Sequence, residues 1–454
     1  MLQVARARPW RPLCAQSIQA RRRYVHAPRQ RTVTVLGETY PTDDYTNLPP
    51  TIAELLERRL HVTPPHPLNT IRKLIASHFE GFKSYDDLPA VVTPALNFDS
   101  LGFPPDHPGR ARGQSYYINR GIMLRTHTSA HEVDIYRQTP RSGGWLCTAD
   151  VYRRDEIDRS HYPAFHQTEG ARLVNVADMD KLKAENEELR RGIKASRIIM
   201  EDCPDFDAIT NPLQASHLPE TVLPMAQNLK LRITTLFMSI FPPSTTPLHV
   251  RWTPDIFPWT SPSFQLEVRY RDAWLELLGC GIILDDTIAR GGHNPAEERS
   301  WAFGMGIERI AMPLFGVPDI RLFWSKDERF WKQFKDGQVS KFQEFSKYPP
   351  VERDIAFWLP VGMAKPHAAS HAAGGEVGGW EENDLWDIIR EVGGDLVEDV
   401  KIFDDFWNEA KGRRSLAIRI TFRSMERSLE RAEVNEITDE ITAKLTARLA
   451  VEIR

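Results

Sequence analysis

The stretch Tyr152-Arg153-Arg154-Asp155-Glu156-Ile157-Asp158-Arg159-Ser160-His161-Tyr162-Pro163-Ala164-Phe165-His166-Gln167-Thr168-Glu169 decides how this chain is read. Residues 145 to 174 have the pattern of a strand, a charged loop and a second strand. Phe165, Gln167 and Glu169 stand at i, i+2 and i+4, so on a strand they point to one face. Arg153 and Arg154 sit where the first strand runs into the loop. A planar guanidinium grips a phosphate or a carboxylate through two parallel hydrogen bonds and stays charged. Arginines facing an aromatic ring, an amide and a carboxylate suit a ligand with a phosphate, a flat base and an ammonium group. ATP together with an amino acid is such a ligand. The plain alternatives are an ion pair of Arg153 with Asp155 or Asp158, and two exposed polar residues on one face of an antiparallel sheet.

A second stretch, Gly304-Met305-Gly306-Ile307-Glu308-Arg309, fits the other side of such a ligand. The pattern predicts a helix over 303–315, shortened or kinked by Pro313. Its glycines let backbone approach a ligand at a helix N-terminus, with Arg309 reaching over it. The third glycine position of a dinucleotide fingerprint holds Arg309, and no phosphate-binding Gly-x-x-x-x-Gly-Lys-Ser/Thr loop occurs, so ATP would lie on an antiparallel sheet. Leu124 to His131 is a run of short polar groups at a helix start. Thr126 or Thr128 can cap that helix, or His127 and Ser129 can add hydrogen bonds to the ammonium. His127 and His131 lie at i, i+4, but residue 128 is Thr where a zincin needs Glu.

Length and composition bound the rest. The 454 residues predict two or three domains, and 41% apolar with 26% charged residues is ordinary for a globular protein. No apolar run is long enough for a bilayer, which reads as a soluble chain. The net charge of −4 hides an arginine-rich leader: Arg6, Arg8, Arg11, Arg21, Arg22, Arg23, Arg29 and Arg31 all precede the first acid, Glu38. Such a leader, here residues 1–31, reads as a mitochondrial transit peptide rather than a secretory signal; the alternative is a basic arm for nucleic acid. Cys14 would leave with it. Cys147, Cys203 and Cys280 are scattered, which argues against a disulfide framework and against zinc.

Along the chain, helices are predicted over 51–60 and 69–80, capped by Thr51 and Asn69, and a strand over 115–119. An amphipathic helix covers 178–202, a buried helix 228–241 and antiparallel strands 248–283. These make one block, 45–345. After Tyr348-Pro349-Pro350 the texture changes. Strand 352–359, helix 383–392, strands 396–406 and 415–424, helix 430–447 and a short strand near Val451 give the order β-α-β-β-α-β, a ferredoxin-like domain over 348–454. The Ala-, Gly- and His-rich segment 361–380 reads as a disordered insertion. The fold class is α+β. Arg413, Arg414, Arg419, Arg423 and Arg427 form a basic stripe in the second block. Arg419 and Arg423 would share a strand face, as phosphate contacts require; the alternative is ordinary solvated charge.

Together these stretches resemble class II aminoacyl-tRNA synthetases. Val151 to Asp155 with Phe165 to Glu169 is similar to the second signature motif of that class, and Gly304 to Arg309 to the third, Gly-x-Gly-x-Glu-Arg. Phe165-His166-Gln167-x-Glu169, Arg125-Thr126-His127-Thr128-Ser129, Asn97-Phe98-Asp99 with Asp106-His107-Pro108, Phe257-Pro258-Trp259 and Pro318-Asp319-Ile320-Arg321 resemble the phenylalanyl-tRNA synthetase family. Gly393 to Val397 and Arg423-x-Met425-Glu426-Arg427 resemble the anticodon-binding domain of its single-chain mitochondrial form.

The resemblance implies ATP-dependent attachment of phenylalanine to mitochondrial tRNA(Phe) through a phenylalanyl-adenylate, by a monomer in the mitochondrial matrix. It implies that Arg153 holds both the α-phosphate and the amino-acid carboxylate, and that Phe165 stacks on adenine with Arg309 across from it; Arg153 and Arg309 are the catalytic pair. Ser160, His161, Tyr162 and Glu276 join the ATP side, with Glu276 a candidate ligand for Mg²⁺. His127, Ser129, Ala130, His131, Glu132, Gln167 and Glu169 surround the amino acid. Phe257 and Trp259 line its side-chain pocket, with Ala302 and Phe303 at the floor. Arg419, Arg423 and Arg427 are tRNA candidates. Three positions depart from the family: Asp155 replaces a frequent Glu, Trp259 a usual Phe, and Glu132 a more frequent Gln. No block corresponds to an editing domain, so mischarged tyrosyl-tRNA is not expected to be cleared. A non-catalytic relative would be expected to lose Arg153, Glu169 or Arg309, and all are present.

Overall fold

The computed structural model describes residues 31–194, 198–241, 248–270, 273–344, 348–360, 381–424 and 426–454. The predicted leader, Arg31 apart, and the 361–380 segment lie outside the described residues. Eight of the described strands form one sheet, in the spatial order Lys83–Tyr85, Gly144–Tyr152, Ala164–Asn175, Glu298–Gly306, Ala273–Ile283, Thr260–Tyr270, Leu248–Phe257, Ile198–Glu201. Inner neighbours run antiparallel; the outermost pair at each edge is parallel. Alternation drives these strands. In Thr260–Tyr270, Phe264, Leu266 and Val268 are buried while Gln265 and Glu267 between them are half-buried.

Helices Pro67–His78, Pro219–Ile240 and Ile307–Phe315 pack on one face. Their apolar stripes (Ile71, Ile75, Leu229, Ile233, Phe237, Ile310) meet Trp301, Phe303 and Met305 of the Glu298–Gly306 strand in one core. A fully buried side chain of that size contributes about 1.5–3 kcal/mol, so these odd-numbered positions fix which way the strand faces. The even positions, Ala302, Gly304 and Gly306, are thereby turned to the opposite face. One face is sealed by helices, and the other carries the site.

Several elements differ from their sequence expectations, each for a local reason. The helix predicted over 178–202 ends at Lys194, and Ile198–Glu201 adds a parallel strand beside Leu248–Phe257. Ile198 and Ile199 are β-branched and fit that free edge better than a further helical turn. The helix predicted from 228 begins at Pro219 and accommodates Pro224 in its second turn. The first helix is only Pro50–Ala53, followed by 3₁₀ turns, and Thr51 is not its cap. Asn69 is not a cap either. Proline at N1 sets both starts, and the His66 ring accepts from the Leu68 amide instead. Met305 and Gly306 complete a strand rather than open a helix, which starts at Ile307.

The second block has the expected β-α-β-β-α-β order: Val351–Trp358, Glu382–Gly393, Val397–Asn408, Arg413–Phe422, Arg431–Leu449 and Glu452–Ile453. Its first strand lies between the third and the last, in the sheet order second, third, first, fourth. Val351–Trp358 and Arg413–Phe422 pair residue for residue from Val351↔Phe422 to Trp358↔Ser415, with a core of Ile355, Phe357, Ile389, Ile418 and Ile441. This domain docks on the loop between the first two signature strands. Val400 N donates to Ile157 O at 3.0 Å, and Ile157 is buried in the second domain's core. No described helix is long and apolar enough to cross a membrane.

Candidate active site

The site is built on the open face of the sheet. Ala164–Asn175 runs antiparallel to Gly144–Tyr152 on one side and to Glu298–Gly306 on the other. The register sets Gln167 between Ala149 and Gly306, and Glu169 between Cys147 and Gly304. Small neighbours leave room above both side chains: a Cβ added at Gly304 or Gly306 would meet nothing within 4 Å. A cavity of about 280 Å³ lies here. Arg153, Ser160, His161, Tyr162, Phe165, Glu276 and Arg309, the seven positions expected on the ATP side, all line it, as do Gln167 and Asp155.

Arg153 stands at the end of the Gly144–Tyr152 strand. Its amide donates to Pro163 O at 3.0 Å, and its Nε to Thr126 O at 2.8 Å. The guanidinium lies 5.2 Å from the centre of the Phe165 ring. Burial lowers its pKa; Asp155 and Glu276 oppose that and Arg309 adds to it, and an arginine so placed remains a cation. Arg309 lies 3.7 Å from Glu276 and donates to its carbonyl at 3.3 Å. The loop between the strands is organised by Asp158. It accepts from Ser160 N at 2.6 Å, His161 N at 2.7 Å, Ser160 Oγ at 2.9 Å and His161 Nδ1 at 2.7 Å. The contact with Asp158 raises the pKa of His161.

At the other end of the same face, Gln167 Oε1 accepts from Thr128 N at 3.3 Å. The hydroxyls of Thr128 and Ser129 favour the charged form of Glu169. Burial pushes Glu169 up to about 7, against those two hydroxyls. Beyond them lies an aromatic wall. The His127 ring stacks on Phe103 at 5.7 Å, Phe103 lies 5.1 Å from Trp259, and Trp259 lies 5.9 Å from Phe257. Phe257 closes over Gly279, where a Cβ would come within 2.6 Å of its ring. The ring nitrogens of His127 are buried, and their desolvation lowers its pKa to about 3 and leaves it a neutral flat ring. The face therefore carries a cavity lined by Arg153 and Arg309, an acidic end at Glu169 and a wall of aromatic rings, with Gln167 at the edge of the cavity.

A family model described as the class II core domain (F) of tRNA synthetases matches residues 53–202 and 222–334, and one described as a ferredoxin-fold anticodon binding domain matches 346–454. The mitochondrial phenylalanine--tRNA ligase of Saccharomyces cerevisiae is 41% identical over 428 residues, covering 87% of this chain and 89% of its own length. That of Mus musculus is 41% identical over 406 residues, with 86% and 82% covered, and the probable mitochondrial enzyme of Drosophila melanogaster 37% over 450, with 94% and 93%. The chain belongs to the phenylalanine--tRNA ligase family of class II aminoacyl-tRNA synthetases.

Within this synthetase the remaining expected residues fall into two groups. Ala302 is buried in a cluster with Ile135, Tyr136, Trp145 and Ile288 rather than open to the cavity, and Ser129 and Ala130 are buried in the turn before Glu132. Phe303 does not reach the floor of the pocket: adjacent strand residues face opposite ways, and its ring stacks on Phe79 at 5.3 Å among the helices. His131 turns to Pro89 O at 3.2 Å and to Arg125 rather than to the cavity. The arginine stripe is not free. Arg419 pairs with Asp354 at 2.8 Å, Arg423 with Glu398 at 3.1 Å, and Arg427 with Glu433. Arg423 also lies past the end of its strand at Phe422, so it does not share a strand face with Arg419.

Other contributors carried no role in the sequence reading. Arg154 serves the domain contact: buried, it binds Asp384 at 2.6 Å and Asp387 at 2.8 Å from the Glu382–Gly393 helix. Glu308 accepts from His166 N at 2.9 Å and His166 Nδ1 at 2.7 Å, which ties the helix start to the signature strand. Asn97 accepts from Thr126 N at 3.0 Å and so fixes the carbonyl that holds Arg153. Phe103 gave no signal, because it sits in a turn-rich loop with no periodicity.

Proposed function

We infer that this synthetase activates phenylalanine with ATP and transfers it to tRNA(Phe) in the mitochondrial matrix. The observation that supports the reading is one sheet face carrying the cavity of Arg153 and Arg309, with the aromatic wall meeting it where Phe257 packs over Gly279. In this reading Arg153 holds the α-phosphate and the amino-acid carboxylate together, so that one carboxylate oxygen attacks phosphorus in line and pyrophosphate leaves toward Arg309. Neither residue need act as a nucleophile; fixed orientation and preset positive charge supply the rate gain. Phe165 offers its ring to adenine. Glu169 and Gln167 take the ammonium, and the aromatic slot takes the benzyl group. In the second step a ribose hydroxyl of the terminal adenosine of tRNA attacks the acyl carbon and adenylate leaves.

Glu276 fits a magnesium ion: its carboxylate lines the cavity, is about half exposed, and among the described residues has only a long ion contact, with Arg309. Held there with ATP, Mg²⁺ would supply positive charge to neutralise the phosphates. A second group, Glu156, Asp158 and His161, has ligand atoms within 4.8 Å of one another, but Asp158 is already occupied by the loop.

The tRNA contact of the second domain is better assigned to another cluster than to the paired arginines. Lys411 Nζ lies 4.5 Å and the Arg454 guanidinium 5.4 Å from the Trp358 ring, which packs on Phe406 at 5.8 Å. Trp358 is buried and serves as a support rather than a stacking platform, so the cluster offers tRNA the positive charge of Lys411 and Arg454. Both blocks in one chain support a monomer. Charging of a tRNA(Phe) transcript tests the function: the reading requires phenylalanine to be transferred, and failure of a folded, ATP-binding protein to do so would sink it.

A further inference from the structure

Glu132 is a titratable group that the reaction as described leaves unused. It opens the short helix Glu132–Tyr136, is fully buried, and neither of its carboxyl oxygens has a hydrogen-bond partner among the described residues. The charged group that faces it is another carboxyl, Glu169, whose Oε2 is also without a partner among the described residues. The nearby cations are committed elsewhere. Arg125 donates to Asp150 Oδ1 at 2.9 Å, Asp150 O at 2.6 Å, Leu88 O at 2.7 Å and Pro89 O at 3.0 Å. Arg153 is held at Thr126 O and over Phe165. His127 and His131, on the turn before Glu132, are lowered by burial to about 3 and about 4, so neither is a cation near neutral pH. Burial raises Cys147, across the strand pair from Glu169, and Tyr136, on Glu132's own helix, so both are neutral. A buried carboxylate with no cation and no donor is costly, and it escapes the cost by keeping its proton.

We propose that Glu132 works as a neutral carboxylic acid, so that the Glu132–Glu169 pair presents one negative charge to the one ammonium group of the amino acid. Glu169 is the charged member because the Thr128 and Ser129 hydroxyls favour its carboxylate, whereas Glu132 has no donor on either oxygen among the described residues. A protonated carboxyl offers a donor and an acceptor, as a glutamine amide does. The proposal rests on this face being the amino-acid end of a synthetase site.

Burial first, and then Glu169, raise Glu132 well above its ordinary 4.5. A carboxyl whose folded pKa exceeds its unfolded one binds more protons in the folded state. Its contribution to stability therefore falls as pH rises from about 4.5 toward the raised value. Glu132→Gln removes that loss. Three readouts on the full chain test the idea. Infrared spectra at pH 7.5 should show a protonated-carboxyl stretch that Glu132→Gln lacks. The Tm of Glu132→Gln should gain on wild type steadily from pH 5 to pH 8. The KM for phenylalanine should rise about tenfold or more in Glu132→Ala, and Glu132→Gln should recover most of that loss. A missing band, a band that survives in Glu132→Gln, or a Tm gap flat with pH would overturn the proposal. Equal losses in the Ala and Gln variants would assign Glu132 a charged role and also overturn it. The infrared and melting arms need no activity. An inactive wild type would therefore count against the synthetase reading alone.

Discussion

Arg153 acts from a fixed place. Its amide is tied to Pro163, its Nε to Thr126, and its face to Phe165, so only the outer part of the guanidinium remains for ligand. Removing a preset charge that acts on the transition state typically costs about 10²–10³-fold or more. Arg153→Ala should therefore lower pyrophosphate exchange by at least about 10³-fold while circular dichroism and Tm stay close to wild type. A loss that appears only in KM would show that Arg153 binds without accelerating. The types and spacing of Arg153, Phe165, Gln167 and Glu169 were legible in the sequence because a strand puts alternate residues on one face. Arg154 was not: adjacent and chemically identical, it goes to another domain. Only the carboxylates of Glu382–Gly393, more than two hundred positions away, distinguish the two. The acids that pair with the C-terminal arginines were not legible for the same reason, since they come from neighbouring strands and helices.

The decisive element is the Glu298–Gly306 strand. Its odd residues buy their place in the helix-packed core, and its glycines then stand on the open face with nothing above them. Gly304→Val should leave Tm nearly unchanged, since the added Cβ meets no protein atom within 4 Å, yet lower kcat/KM by about 10²-fold by filling the cavity. The fold-change follows from about 3 kcal/mol of lost binding or positioning. A stable variant with ordinary ATP affinity would show that the cavity is not the nucleotide site. The antiparallel hairpin and the ferredoxin-like order were readable from alternation and chain order. The helix end at Lys194 was not, because Ile198 to Met200 suits a helix as well as a strand until the edge of Leu248–Phe257 is available. The Phe303 direction follows from register, which spacing alone does not supply.

At the scale of the molecule, the second domain is held to the catalytic domain by Arg154 with Asp384 and Asp387, by Arg159 with Glu398, and by Arg321 with the Asp395 and Val397 carbonyls. Arg154→Leu strands partly buried carboxylates. It should cost about 2–4 kcal/mol, below the top of the range for buried pairs because the acids keep some solvent. Calorimetry should show the Tm falling and the transition broadening as the domains uncouple; an unchanged melt would mean that the contact is incidental. Lys411→Ala combined with Arg454→Ala should reduce tRNA charging about tenfold and leave pyrophosphate exchange intact. Equal loss of both activities would move the tRNA contact elsewhere. The central claim concerns the open face between Arg153 and the aromatic slot. Its most direct test is amino-acid-dependent exchange of pyrophosphate into ATP. The account predicts exchange with phenylalanine, abolished in Arg153→Ala and much weaker with other amino acids. A folded protein that exchanges no pyrophosphate with phenylalanine, or that prefers an aliphatic amino acid, would contradict it.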